Sequence, residues 1–361
     1  MNVFKGIYRG RRVLVTGHTG FKGSWLALWL HEMGAAVTGV ALPPASEPNH
    51  WNLIELDARD RRLDIRDASA LADAVAESQP EIVFHLAAQA LVRRSYHDPL
   101  GTWSTNVMGT ANLLEACRRT EGVRAIVVVT TDKCYENREW PWGYRENDRL
   151  GGHDPYSASK AGAELVAASY RSAFFDTAAY PLLATARAGN VIGGGDWSED
   201  RLIPDLARAL CAGESLEIRS PYATRPWQHV LDSLSGYLLL GQQLIESRQD
   251  FAEAWNFGPE REANRTVSEV IDHLAKHWPT LRWHVRAQDP PDLHEANLLY
   301  LDSAKAKSQL KWQPVWPLEQ AISATAAWYR AWIERGQVES RRQLGSYVAT
   351  AKQARVTWAN T

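Results

Sequence analysis

The stretch from Val13 to Gly23 constrains the fold more than any other part of this chain. Val13-Leu14-Val15 reads as a buried strand, and Phe21, Trp25, Leu28 and Trp29 mark one face of a helix that stops at Gly34. Between them lies Gly17-His18-Thr19-Gly20-Phe21-Lys22-Gly23. A strand that runs through a glycine-rich turn directly into a helix is the opening of a βαβ unit. The glycines let backbone N–H groups at the helix N-terminus approach a pyrophosphate closely. The spacing is GxxGxxG rather than the commoner GxGxxG, and a purely structural turn is the alternative. Its position at the first strand-to-helix turn selects the binding reading.

The alternation continues. Val37 to Leu42 reads as a second strand, ended by Pro43-Pro44, and Leu63-Asp64-Ile65 as a short third one. The charged run Arg59-Asp60-Arg61-Arg62 reads as a solvated loop. Asp67 suits the N-cap of a helix reaching Gln79. Ile82 to Leu86 is the fourth strand, a long helix covers about 102–119, and Ala125 to Val129 is wholly apolar, as a central parallel strand must be. A helix carrying Tyr156 and Lys160 leads to a sixth strand near Leu183-Ala184-Thr185. This succession predicts an α/β fold: a doubly wound parallel Rossmann sheet with a smaller C-terminal substrate-binding domain. The expected division is 1–189 for the first domain and 190–336 for the second, with about 230–257 returning to the first. Residues 337–361 read as a polar, weakly patterned tail.

Composition narrows the partners. The formal net charge is -2 and no block of like charge appears, so neither nucleic acid nor a membrane surface is expected. No apolar run approaches a membrane span. Cys117, Cys134 and Cys211 are scattered and odd in number, which favours a reduced, cytoplasmic setting and offers no metal site. The 16 Trp are spread along the whole chain and are assigned to packing.

The chemistry-bearing residues follow the fourth and fifth strands. His85-Leu86-Ala87-Ala88-Gln89 ends one strand with small residues that suit close passage of a cofactor; His85 itself reads as a satisfied interior histidine. Thr131-Asp132-Lys133 presents a hydroxyl, an acid and a base at the carboxyl edge of the sheet, where ligands bind in such folds. Tyr156 and Lys160 stand at i, i+4 on one helix face, so an ammonium is expected beside the phenol, lowering its pKa and making it a general base or acid near neutral pH. Asp64 is placed to meet an adenine amine, with Ile65 beside it, and Asn106 to hold a water or a backbone carbonyl near the site.

Together, the glycine turn, the third-strand Asp, the Thr-Asp pair after the central strand and the Tyr-x-x-x-Lys helix resemble the extended short-chain dehydrogenase/reductase family over about residues 10–335. The strings Thr131-Asp132-Lys133-Cys134-Tyr135, Arg187-Ala188-Gly189-Asn190-Val191-Ile192-Gly193-Gly194-Gly195-Asp196-Trp197 and Arg225-Pro226-Trp227-Gln228-His229-Val230 are similar to its nucleotide-sugar 4,6-dehydratase branch. The related dTDP-glucose dehydratases carry Asp-Glu where this chain has Asp132-Lys133. The resemblance implies NAD as cofactor and CDP-glucose as the nucleotide-sugar substrate. It implies that Gly17, Thr19, Gly20, Phe21, Lys22, Gly23, Asp64, Ile65, Leu86, Ala87, Ala88, Gln89 and Asn106 hold the cofactor with Tyr156 and Lys160. Tyr156 would take the C4 hydroxyl proton, Thr131 bond the C4 oxygen, and Asp132 assist departure of the C6 hydroxyl. Lys133 would remove the C5 proton in its neutral form, or polarise the C4 ketone in its charged form. Asn190, Arg201, Arg219, Arg225 and His294 would hold the substrate. A homodimer or homotetramer is implied as well. A 4-epimerase on the same fold and a non-catalytic cofactor-sensing module are the rival readings.

Overall fold

A computed structural model describes residues 1–175, 180–286 and 298–360. Its centre is a seven-stranded sheet. β1 (Arg12–Thr16), β2 (Ala36–Ala41), β3 (Arg59–Arg62), β4 (Ile82–His85), β5 (Ala125–Val129) and β6 (Leu182–Ala188) are joined at one edge by Ala254–Phe257, in the order Ala254–Phe257, β6, β5, β4, β1, β2, β3. Every neighbouring pair is parallel. The strand order reverses at β1 and β4, where Val13 pairs with both Val37 and Ile82. Such a switch point opens a crevice at the carboxyl ends of the strands.

Both faces are covered, which is why the central strands are apolar on both sides. Leu14, Val83, Ile126 and Val128 pack against the helices Ala68–Ser78, Gly109–Arg119 and Pro155–Ala173 through Leu71, Val75, Leu113 and Ala167. Val13, Val15, Phe84 and Val127 face the helices Phe21–Glu32 (α1) and Val230–Ile245 through Trp25, Trp29, Leu234 and Leu238. Asp67 caps its helix as expected, accepting from the Ala70 N–H. After β6 the chain builds short strand pairs. Thr224–Pro226 lies antiparallel to Asn264–Thr266, and Leu216–Ile218 parallel to Trp283–Val285.

Three elements differ from the sequence expectation. The third strand is Arg59–Arg62, the run read as a loop, and Leu63-Asp64-Ile65 follows it outside any strand, entering a turn at Ile65. All four strand residues are exposed, so no apolar pattern marks them. The open edge of β2 pairs with them instead, through Thr38 to Ala41. Charges on such an edge also discourage pairing with a further strand. The long helix begins at Pro99 and is interrupted by a π turn over Ser104–Met108, centred on Asn106.

The tail is not a loose polar segment. It forms the helix Ser340–Gln353 and returns to the N-terminus. Leu344, Tyr347, Val348 and Ala351 are buried on one face. Trp358 stacks on Phe4 with centroids 4.9 Å apart and meets Trp29 edge-on at 5.6 Å. The Phe4 N–H donates to the Trp358 carbonyl at 2.7 Å. Trp358→Ala empties this aromatic pocket and is expected to lower stability by about 3–5 kcal/mol. A urea unfolding curve reads this directly, and an unchanged midpoint would show the tail to be energetically idle.

Candidate active site

The glycine turn is tight because two chain segments cross there. A Cβ on Gly17, whose φ is +75, would lie 2.6 Å from the Ala87 nitrogen; one on Gly23 would lie 2.0 Å from the Gly17 oxygen. The turn therefore rests directly on Leu86-Ala87. The first turn of α1 has Gly20 as its N-cap and receives no side-chain cap, so its N–H groups face outward for an anion. The Thr19 hydroxyl donates to the Leu42 carbonyl at 3.0 Å, closing the turn onto the end of β2. Phe21 abuts Gly193. These features fit a dinucleotide.

His18 and Lys22 go opposite ways. His18 is fully buried, edge-on to Trp51 and 3.0 Å from the Asp60 carboxylate on β3. Lys22 faces the crevice, its ammonium 3.5 Å from the Tyr237 hydroxyl. Burial pushes its pKa down to about 7, and Arg201 pushes in the same direction while Asp132 opposes.

The crevice opens into a cleft of about 1140 Å³. Thr131, Asp132, Lys133, Tyr156, Asn190, Arg201, Arg219 and Arg225 all line it. Asp132 is 2% exposed and accepts from the Thr131 hydroxyl at 3.0 Å. Its other carboxylate oxygen occupies the space a side chain at residue 189 would need: a Cβ on Gly189 would lie 2.6 Å from Oδ2. The helix bearing Tyr156 starts at Pro155, capped by Asp154, which accepts from Ser157 N–H and hydroxyl at 2.9 and 2.6 Å.

The Tyr156 phenol differs from expectation. Burial raises its pKa to about 12, and the hydrogen bond with Thr131 opposes this only in part. Lys160 does not relieve it, because its ammonium turns to the Val129 carbonyl at 3.2 Å. Burial in turn lowers Lys160 to about 8.

The supporting residues have distinct places. Asn106 clasps the main chain of Gln89, accepting from its N–H at 2.8 Å and donating to its carbonyl at 3.0 Å. The same Asn106 amide donates to Ser159 at 2.8 Å, tying the loop after β4 to the Tyr156 helix. Ala88 lies in that same loop. His85 is bonded on both nitrogens, by Thr16 at 2.7 Å and Thr110 at 3.0 Å, so it is a satisfied interior histidine. Asp64 accepts from Arg66 side-chain nitrogens at 2.9 and 2.6 Å, and these bonds, led by the guanidinium, hold its carboxyl below the ordinary range. Ile65 packs against Gly109. His294 lies outside the described residues.

At the far end of the cleft the arginines meet carboxylates that the sequence reading passed over. Arg201 pairs with Asp196 at 2.9 Å. Arg219 pairs with Asp200 at 2.7 Å, and Arg93 approaches the same carboxylate at 3.9 Å. Arg225 is buried and donates to the Thr224 carbonyl at 3.0 Å. Asp196 stands in the quoted Gly-Gly-Gly-Asp-Trp string, which was its only signal.

Among the described residues, no helix is long and apolar enough to cross a membrane. None of them forms a group of three or more His, Cys, Asp or Glu side chains able to hold a metal ion.

A switch-point glycine turn, a Thr-Asp-Lys edge and a buried Tyr-x-x-x-Lys helix around one cleft define an extended short-chain dehydrogenase/reductase. Within that class the chain belongs to the GDP-mannose 4,6-dehydratase family, whose model matches residues 14–325. It is 48% identical over 355 residues to CDP-glucose 4,6-dehydratase of Salmonella typhimurium, covering 96% of this chain and 98% of the relative. A dTDP-glucose 4,6-dehydratase of Xanthomonas campestris is 28% identical, covering 89% of this chain and 94% of that protein. Among solved structures, DesIV, a dTDP-glucose 4,6-dehydratase from Streptomyces venezuelae with NAD bound, superposes with a TM-score of 0.74 at 27% identity, covering 91% of this chain and 99% of that one.

Proposed function

We propose that this protein converts CDP-glucose to CDP-4-keto-6-deoxyglucose and water, with NAD as a recycled cofactor. The observation that carries the reading is the full-length 48% identity to a CDP-glucose 4,6-dehydratase. The glycine turn, Leu86 to Gln89, Tyr156 and Lys160 would hold NAD. When bound, NAD would supply the acceptor for the C4 hydrogen, the hydride returned to C6, and a positive charge.

That added charge matters because the phenol alone, at about 12, is a proton donor near neutrality. Tyr156 would take the C4 hydroxyl proton, its phenolate favoured by the positive charge of the bound cofactor. Thr131 bonds the C4 oxygen and Asp132 delivers a proton to the departing C6 hydroxyl. Lys133 removes the proton that the C4 ketone has acidified at C5. Asn190, Arg201, Arg219 and Arg225 bind the diphosphate, Arg201 and Arg219 exchanging Asp196 and Asp200 for phosphate oxygens. An epimerase needs no acid and base at positions 132 and 133, and a sensing module needs no Tyr156, so neither rival uses the whole cleft. Turnover with CDP-, dTDP-, GDP- and UDP-glucose and NAD tests the reading. CDP-glucose should be dehydrated fastest, and a clear preference for another nucleotide would refute the base assignment.

Lys22 bears on cofactor affinity. A lysine at a helix N-terminus opposes the macrodipole, and in its charged form this one would draw phosphate oxygens away from the backbone N–H groups rather than reinforce them. NAD is therefore expected to bind reversibly and to be largely lost on purification. Lys22→Ile should tighten NAD binding by about tenfold in calorimetry, about 1.4 kcal/mol. Stoichiometric NAD in wild-type protein purified without added cofactor would contradict this.

The assembly we propose is a homodimer, or a tetramer built from it, in the cytoplasm. Leu100, Trp103 and Met108 are 81%, 40% and 55% exposed, and Leu165 on the adjacent helix is 61% exposed. The two helices meet where Gly162 faces Val107 and Trp103, so their exposed apolar residues lie close enough to form one patch. Sedimentation of the protein and of Leu165→Glu would test that surface.

A further inference from the structure

Arg187 begins the string that carries Asn190, yet the cleft lining starts at Ala188. The Arg187 guanidinium points inward and meets Glu164 at 2.7 Å, with the two side chains 4% and 3% exposed. Glu164 also accepts from the Thr130 hydroxyl and from that of Thr185, the latter at 2.7 Å. Arg187 donates onward to the Tyr135 hydroxyl at 2.6 Å and the Glu146 carbonyl at 3.1 Å. The Tyr135 hydroxyl donates to Asn256 at 2.8 Å. One carboxylate thus ties together the Tyr156 helix, the residue before Thr131, and β6. Replacing such a buried pair with apolar groups is often neutral or stabilising, so net stability alone does not account for it. Glu164 stands one helical turn beyond Lys160, at i, i+4.

We infer that Glu164 is a positioning residue whose buried carboxylate keeps Lys160 in its charged form and, through Thr130, holds the Lys160 helix against the Thr131-Asp132 turn. Lys160 is faced by Tyr156 and Glu164 from its own helix, Cys134 from the catalytic turn, His85 from β4 and Lys22 from α1. Burial is the largest influence on Lys160 and lowers it; Glu164 is the foremost group opposing that. Burial raises the Cys134 thiol and lowers His85 to about 3, so both are neutral near pH 7. Lys22 is a second amine, itself lowered to about 7 and so largely neutral at the pH where Lys160 titrates. Glu164 stays ionised although burial works against it, because the charge and hydrogen bond of Arg187 and both threonine hydroxyls hold its carboxyl below the ordinary value. Of these groups, Glu164 is therefore the anion that offsets the burial of Lys160. A folded-state pKa near 8 means that the charged form is lost as pH rises through that value. Without Glu164 that loss begins at lower pH.

The inference rests on the dehydratase reading, and its test separates the two. Single-turnover formation of reduced cofactor from CDP-glucose and NAD is followed against pH. Glu164→Gln should move the alkaline limb down by about one pH unit, while Glu164→Asp, which keeps the charge, leaves the limb near its wild-type place. Glu164→Gln also leaves the Arg187 cation unpaired and risks unfolding. The double variant Glu164→Gln/Arg187→Met removes that cation, which is not among the groups acting on Lys160, and should show the same acid shift. A limb at the wild-type pH in the double variant, or an equal shift in Glu164→Asp, would reduce Glu164 to a structural role and overturn the inference. A wild-type protein that forms no reduced cofactor would instead refute the dehydratase reading.

Discussion

Tyr156→Phe should abolish oxidation at C4 while leaving nucleotide binding intact. The phenol lines the cleft, is almost wholly buried and has Thr131 as its hydrogen-bond partner. Phenylalanine keeps the ring and its packing, so the fold and the cofactor cleft are unaffected. What disappears is the group proposed to take the C4 hydroxyl proton, and general-base loss of this kind costs about 10²–10⁴-fold in rate. Stopped-flow absorbance should show no transient reduced cofactor, while calorimetry still detects NAD and CDP-glucose. Turnover near the wild-type rate would remove Tyr156 from the mechanism.

Asp132→Asn should divide the reaction. The carboxyl is buried against Gly189 and bonded to Thr131, and asparagine fits the same space and accepts the same bond. The amide does not donate a proton to a leaving hydroxyl. Oxidation at C4 therefore continues, and reduced cofactor accumulates with CDP-4-ketoglucose instead of passing on. Loss of water should fall by about 10²–10⁴-fold. Mass spectrometry of quenched reactions distinguishes the two steps; equal loss of both would contradict the assignment of Asp132 to dehydration alone.

Local sequence revealed the parts of the fold whose signals are local. Ala125 to Val129 is apolar throughout because helices cover both faces, and Asp67 caps its helix with its own side chain. β3 carries no such signal. Its residues are charged and exposed, and pairing with an open edge makes it a strand. The tail did carry one, in Leu344, Tyr347, Val348 and Ala351 at helical spacing, but the aromatic anchor at Trp358 forms only when the chain ends meet.

The candidate site divides in the same way. Thr131, Asp132, Lys133 and Tyr156 come to one cleft because strand-end loops in a doubly wound sheet converge at the switch point. The spacing of Tyr156 and Lys160 gave their shared face but not their surroundings. Burial and the Val129 carbonyl decide the charge balance, and neither can be seen from spacing along a helix. The pairs Arg219–Asp200 and Arg187–Glu164 were illegible for a related reason: each joins residues 19 or more apart after the chain folds, while Arg201–Asp196 closes within one irregular loop that no helical or strand spacing marks.

The central claim is that one hydrogen leaves C4 and returns at C6 within a single active site, with water lost between. CDP-glucose deuterated at C4, incubated with the protein and NAD, measures this directly. The account predicts CDP-4-keto-6-deoxyglucose with the deuterium in its C6 methyl group and one solvent-derived hydrogen at C5. Deuterium restored to C4 of an epimerised sugar, or retention of the C6 hydroxyl in the product, would contradict it.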